Sequence, residues 1–200
     1  IETVVRDYIL ANPEILPEAM ERLRHREVAK IVDANREALE TPFGSAWAGA
    51  KDGDVVLVEF FDYACGFCRA SNADVERLLR EDPRLKVVWR EYPVLGPSSE
   101  DAAVASLAAA RLGRVRHFHD TLFAPSPPTE ASIAAAREAV GAQPATLTDE
   151  FRTELERNFD LGRAIGASGT PTFIIGDQVL QGAVGYETLK EAIEEARRPS

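Results

Sequence analysis

The clearest local pattern in the chain is DVVLVEFFDY, Asp54 to Tyr63, a β-branched and aromatic run bounded by turn residues, which predicts a buried strand. Directly after it, ASNADVERLL brings Ala70, Ala73, Leu78 and Leu79 round at helical spacing, and LKVVWREYPV, Leu85 to Val94, reads as a second strand. Strand, helix and strand within about forty residues is the pattern of a parallel pair with a right-handed crossover. From Glu100 to Gly166 the chain changes to helical segments, EDAAVASLAAARL, HFHDTLF, TEASIAAAREAVGA and LTDEFRTELERNF. The alanine stripe from Ala102 to Ala110 reads as helix-packing surface. Two short strands come next, TPTFIIG (Thr170 to Gly176) and QVLQGAV (Gln178 to Val184), around a Gly-Asp turn, and YETLKEAIEEARR closes the chain as an amphipathic helix.

Upstream, PEILPEAMERLRHREVAKIVDANREAL, Pro13 to Leu39, predicts one charged helix with Pro17 in its first turn. Leu16, Met20 and Leu23 form one apolar seam; Val28, Ile31, Asn35 and Leu39 form another. The step from Leu23 to Val28 breaks the heptad, which predicts a short bundle, helped by Val4, Val5, Ile9 and Leu10, instead of a long coiled coil. TPFGSAWAGAKDGD, Thr41 to Asp54, reads as a connection. The pattern thus predicts an α/β protein: an arm at 1–40, an α/β unit built from 41–96 and 167–200, and an inserted helical block at 97–166.

At 200 residues and 45% hydrophobic, the chain can bury an ordinary core without a disulfide staple. Its net charge of -10, with no Lys and Arg cluster interleaved with aromatics, argues against nucleic acid as a partner. No apolar run approaches the roughly eighteen residues of a membrane span. The chain begins at Ile1 and not at Met, which reads as a processed or trimmed chain; a secretory leader, once removed, can no longer be read, so the compartment is argued from the chemistry.

Cys65 and Cys68 are the only cysteines. A bridge between them closes too small a loop to restrict the unfolded chain, so the pair reads as chemical. Cys65 falls where strand gives way to helix, facing the positive end of the helix dipole, which favours the thiolate; Cys68, nearly a turn on, lies deeper and within bonding reach. The competing reading is half a zinc site, which needs two further ligands. Only His25, His117 and His119 are on offer, and the last two do not share a helix face; they read as surface or packing residues, and no metal or cofactor is expected. Glu59 points to the same strand face as Phe61 and Tyr63. It is either a proton relay for Cys68 or a partly solvated acid of an edge strand, since an isolated buried charge is costly. Thr170-Pro171 reads locally as a plain strand entry.

VEFFDYACGFC, the Gly-Thr-Pro-Thr-Phe stretch at 169–173 and the closing GAVGYETLKEAI together resemble the DsbA-like branch of the thioredoxin superfamily, periplasmic thiol:disulfide interchange proteins. The resemblance runs from Val55 to Arg197 and implies a thioredoxin fold with an inserted helical domain. It also implies roles: Cys65 as exposed nucleophile, Cys68 as resolving thiol, Glu59 as buried acid, Pro171 as cis-proline, and Thr170 as the backbone edge that receives an extended substrate. Gly66 and Phe67 stand between the cysteines where strongly oxidising members have Pro-His, which implies a less oxidising couple than the ~-120 mV extreme. The arm and the Thr before the proline resemble ScsC-like members, some of which assemble through N-terminal helices. The resemblance therefore implies a periplasmic or secreted homo-oligomer, a trimer, that isomerises disulfides in protein substrates and is reset by a redox partner. Monomeric dithiol oxidation is the alternative, and soft-metal binding or holdase activity the rival from another class.

Overall fold

The computed structural model describes residues 2–124 and 127–198. The strands are β1 (Trp47–Gly49), β2 (Val55–Phe61), β3 (Leu85–Glu91), β4 (Thr172–Ile175) and β5 (Gln178–Gln181). The helices are α1 (Glu2–Ala11), α2 (Ile15–Glu40), α3 (Gly66–Glu81), α4 (Pro97–Arg111), α5 (Val115–Phe123), α6 (Glu130–Ala139), α7 (Asp149–Ala164) and α8 (Tyr186–Ala196). The strands form one mixed sheet in the order β1-β3-β2-β4-β5. β2 and β3 are parallel, with α3 as their crossover, and the other three pairings are antiparallel.

Strand alternation gives the sheet two apolar faces. Leu57, Phe61, Val87, Trp89, Phe173 and Ile175 lie on one, packed with α3, α8 and helices α4 to α6. Val58, Phe60, Val88 and Ile174 lie on the other, under Leu161 of α7, its C-cap Ile165, and Val32 and Leu39 of α2. The helices between β3 and β4 therefore cover both faces, and Leu107 of α4 meets Phe151 and Leu155 of α7 at the side.

α2 divides into two parts by burial. Val28, Val32 and Leu39 pack on the sheet, while Leu16, Met20 and Leu23 are exposed, as are Val4, Val5, Tyr8 and Leu10 of α1. The packed end is pinned by two arginines. Arg36 donates to the Gly176 carbonyl at 3.2 Å and pairs with Asp177 in the β4–β5 turn. Arg90 of β3, wholly buried, donates to the carbonyls of Ala38, Leu39 and Thr41 at the end of α2. It also donates to Glu154 and Asn158 of α7, at 2.9 and 3.3 Å.

Two elements go beyond the sequence expectation. The apolar residues before Pro13 form α1, which ends at Ala11, before Asn12 and Pro13 turn the chain. The connection at Thr41 to Asp54 contains β1, an edge strand whose three residues pair with Lys86, Val87 and Val88.

Candidate active site

The Cys65 loop begins where the apolar run of β2 ends. Asp62 to Ala64 turn the chain, and the Cys65 N–H donates to the Asp62 carbonyl at 3.0 Å. Cys65 is then the N-cap of α3, extended at φ -77° and ψ 117°. Its Sγ accepts the Cys68 N–H at 3.4 Å and donates to the Thr170 carbonyl at 3.2 Å. The sulfur thus sits against the unpaired N–H groups and positive end of a 16-residue helix. Both thiols are unbridged. Cys68 is fully buried, and its thiol pKa is pushed well up, first by burial and then by the charge of Glu59. Cys65 is itself only 5% exposed, so the exposed nucleophile that the resemblance implies is buried here, while its neighbour Phe67 is 69% exposed and a Cβ added at Gly66 would meet nothing within 4 Å.

Glu59 lies on β2, the middle strand of five, and is 2% exposed. The reading as a partly solvated edge acid is therefore wrong. Its side chain is on the α3 face, with Leu57 and Phe61. Burial pushes its pKa up to about 8; the Trp89 indole on β3 opposes that rise and Glu76 adds to it. Trp89 Nε1 and Glu59 Oε2 are both buried with no hydrogen-bond partner.

Opposite Cys65, the Thr170–Pro171 peptide bond is cis. Its loop is tied down by Gln181 of β5, whose side-chain oxygen accepts the Ser168 N–H at 3.3 Å and the Thr172 hydroxyl at 2.9 Å, and whose Nε2 donates to the Gly166 carbonyl at 3.1 Å. Sequence reasoning misses Gln181, because nothing local distinguishes a polar residue at the end of a short strand. It misses Asp62 as well. The Asp62 Oδ1 accepts the Ala64 N–H at 2.8 Å, and its Oδ2 accepts those of Val94 and Leu95 at 2.9 and 3.0 Å. Here a signal is present: an acid ending an apolar strand, just before the nucleophile.

The two nearby histidines part as expected for residues two apart on a helix. His117 is exposed, and His119 is fully buried. His119 stacks on Trp89 at 4.4 Å and bonds Tyr63 and Asn72 through its two ring nitrogens, at 3.3 and 3.2 Å. Burial, and then Arg116, lower its pKa to about 3, which keeps it neutral. Among the described residues, no group of three or more His, Cys, Asp or Glu is placed to hold a metal ion.

A model of the DsbA-like thioredoxin domain matches residues 56–194. The chain belongs to the DsbA-like thioredoxin family. Residues 1–30 match the N-terminal domain of the copper resistance protein ScsC. A linker-deletion mutant of Proteus mirabilis ScsC superposes with a TM-score of 0.80 at 32% identity, covering 98% of this chain and 92% of that one. Disulfide bond formation protein D of Bacillus subtilis is 27% identical over 169 residues, 76% of each chain. A Na+/H+ antiporter of Salinispora tropica is 28% identical over 160 residues, and the match spans 24% of its length. This DsbA-like chain has the thioredoxin fold preceded by an N-terminal helical arm, and is a thiol–disulfide oxidoreductase of the DsbA and ScsC type.

Proposed function

We propose that the protein is a disulfide isomerase of protein substrates, assembled as a homo-oligomer, a trimer, through α1 and the first half of α2. It works in an oxidising compartment outside the cytoplasm, where substrate disulfides persist. The observation that carries this reading is the bare apolar surface of the arm: Val4, Leu10 and Met20 are 70%, 65% and 58% exposed, on α1 and on the part of α2 that precedes its packed end. A set of dithiols joined around one client raises the local concentration of thiolates near a wrong bond, which suits repeated attack and release.

In each cycle the Cys65 thiolate attacks a client disulfide, forming a mixed disulfide and expelling one client thiolate, which takes up a proton. Release takes one of two routes. The freed client thiolate, or another in the client, attacks the mixed disulfide and leaves Cys65 reduced, completing an isomerisation. Alternatively, the minor fraction of Glu59 that is ionised near neutral pH takes the proton of Cys68, which attacks Cys65 Sγ, expels the client as a thiolate and leaves Cys65–Cys68 oxidised. A redox partner supplying two electrons then resets the pair. Gly66, Phe67, Thr170 and Pro171 form the surface that meets the client, with the backbone of Thr170 pairing to its extended chain.

The packed half of α2 decides how to test this. Val32, Leu39 and the carbonyls held by Arg90 belong to the catalytic core, so removing residues 1–39 would damage it. The cut belongs before Val28. Removal of residues 1–27 is expected to give a folded monomer that still reduces insulin and loses most of its activity on scrambled ribonuclease, measured with sedimentation alongside. A full-length protein that sediments as a monomer at micromolar concentration moves the assignment to dithiol oxidation.

A further inference from the structure

The backbone of Thr170 is held in place and left nearly without partners. The Thr172 hydroxyl donates to the Gly169 carbonyl on one side of it and the Gly182 N–H to the Pro171 carbonyl on the other, both at 2.8 Å. Thr170 itself lies outside β4, which begins at Thr172. Among the described residues its N–H donates to no protein group, and its carbonyl accepts a single hydrogen bond, from the Cys65 thiol at 3.2 Å. The sulfur therefore has two backbone neighbours of opposite kind. The Cys68 N–H, at 3.4 Å, donates to it and favours the thiolate, while the Thr170 oxygen accepts its proton and favours the thiol. Once that proton is lost, sulfur and oxygen face each other as two acceptors.

We propose that Thr170 couples client docking to activation of the nucleophile: a client backbone N–H that bonds the Thr170 carbonyl takes this oxygen from the Cys65 thiol, whose proton passes to water. This rests on the reading of Thr170 as the client-receiving edge, and adds to it how the site responds to a client. The incoming N–H brings a partial positive charge to the oxygen that the thiol proton leaves. The sulfur keeps its donors, the Cys68 N–H and the start of α3. Such coupling is reciprocal, so the thiolate form binds an extended backbone more tightly than the thiol form by the same factor. One neutral hydrogen bond is exchanged, which sets the factor at about fivefold. The signal is a free backbone N–H. Strands and helices of a folded protein spend theirs internally, whereas an unfolded segment has them to offer. The client class is accordingly an unpaired extended segment, recognised by its backbone.

Other ionisable groups surround the sulfur. The first turn of α3 carries Cys68 and Arg69, and the end of β2 with its turn carries Glu59, Asp62 and Tyr63; behind them Glu91 of β3 and His119 of α5 act on Tyr63. Residues 168–171 carry no ionisable side chain. The test uses the reduced full chain and an extended peptide with Ser in place of its cysteine, made unmodified and as a series N-methylated at one backbone position each. Saturating unmodified peptide is expected to raise the thiolate-to-thiol ratio of Cys65 about fivefold, read as ultraviolet thiolate absorbance at the pH where that absorbance is half developed. The Cys65→Ser variant, titrated alongside, subtracts the other groups. One analogue, the one lacking the N–H that meets Thr170, is expected to bind more weakly and to leave the absorbance unchanged at saturation. A peptide that binds and is weakened by one N-methylation, yet leaves the absorbance unchanged, overturns the inference alone, as does a rise that every analogue keeps. A peptide that does not bind, or whose binding no N-methylation weakens, overturns Thr170 as the client edge as well.

Discussion

A carboxyl group held at a pKa of about 8 on the central strand makes stability depend on pH in the opposite sense to an ion-paired acid. Between its ordinary value of 4.5 and about 8, folded Glu59 keeps a proton that the unfolded chain has lost. Stability therefore falls as pH rises through that window, and the full cost is present above it. Glu59→Gln is expected to match the wild type near pH 4 and to exceed it by a few kcal/mol (~1.4 per pKa unit) at pH 9, as read from denaturant midpoints at both pH values. The same change is expected to slow Cys68 attack on the mixed disulfide more than it slows mixed-disulfide formation, in single-turnover measurements. A gain in stability with no pH dependence would show that the carboxyl proton is not its source. His119 works the other way, because its lowered pKa favours folding as pH rises toward 6.5, and comparing two proteins that share it cancels its effect.

At the scale of elements, close approach of helix to sheet leaves one position with no room. Gly162 of α7 lies against Tyr92, and an added Cβ would come within 2.6 Å of the ring. That ring is held edge-on to Phe60 at 5.6 Å and against Phe159 at 5.1 Å. Gly162→Ala is expected to cost about 1–3 kcal/mol by overpacking, visible as a lower denaturation midpoint, in spite of alanine's better helix propensity. The sequence made β2, α3 and β3 legible, because burial on both sheet faces demands a long apolar run and a helix of 3.6-residue period declares itself. It also placed Cys65 at the helix start and Glu59 on the face beneath it. It did not reveal β1, because Trp47-Ala48-Gly49 is too short to show alternation and is a strand only by virtue of its partner β3. Asp62 stayed hidden for a related reason: its partners Val94 and Leu95 lie 32 and 33 residues along the chain, and those of Gln181 lie 9 to 15 residues back, in a loop that shows no pattern of its own.

For the whole molecule, the decisive joint is Arg90. Replacing it with methionine leaves Glu154 buried without its 2.9 Å partner and strips the end of α2 of its donor. Arg90→Met is expected to lose about 3–5 kcal/mol by chemical denaturation, against the smaller loss of an exposed pair. The joint matters beyond stability because α2 runs unbroken through 26 residues, from the bare seam to the pinned end, a rod of about 39 Å at 1.5 Å per residue. Through this continuous helix the bare seam is joined directly to β3, by Arg90, and to the β4–β5 turn, by Arg36. In an assembly the helix would act as a crank that sets the bearing of each dithiol toward the common axis. Spin labels placed on the outer half of α2 and on β5 are expected to give one narrow distance distribution, and a Gly-Gly insertion after Glu27 to broaden it. In the assembly proposed above, thiols carried on such rods would meet a misfolded client at fixed bearings, so that the client's own tumbling would set the pace of the search.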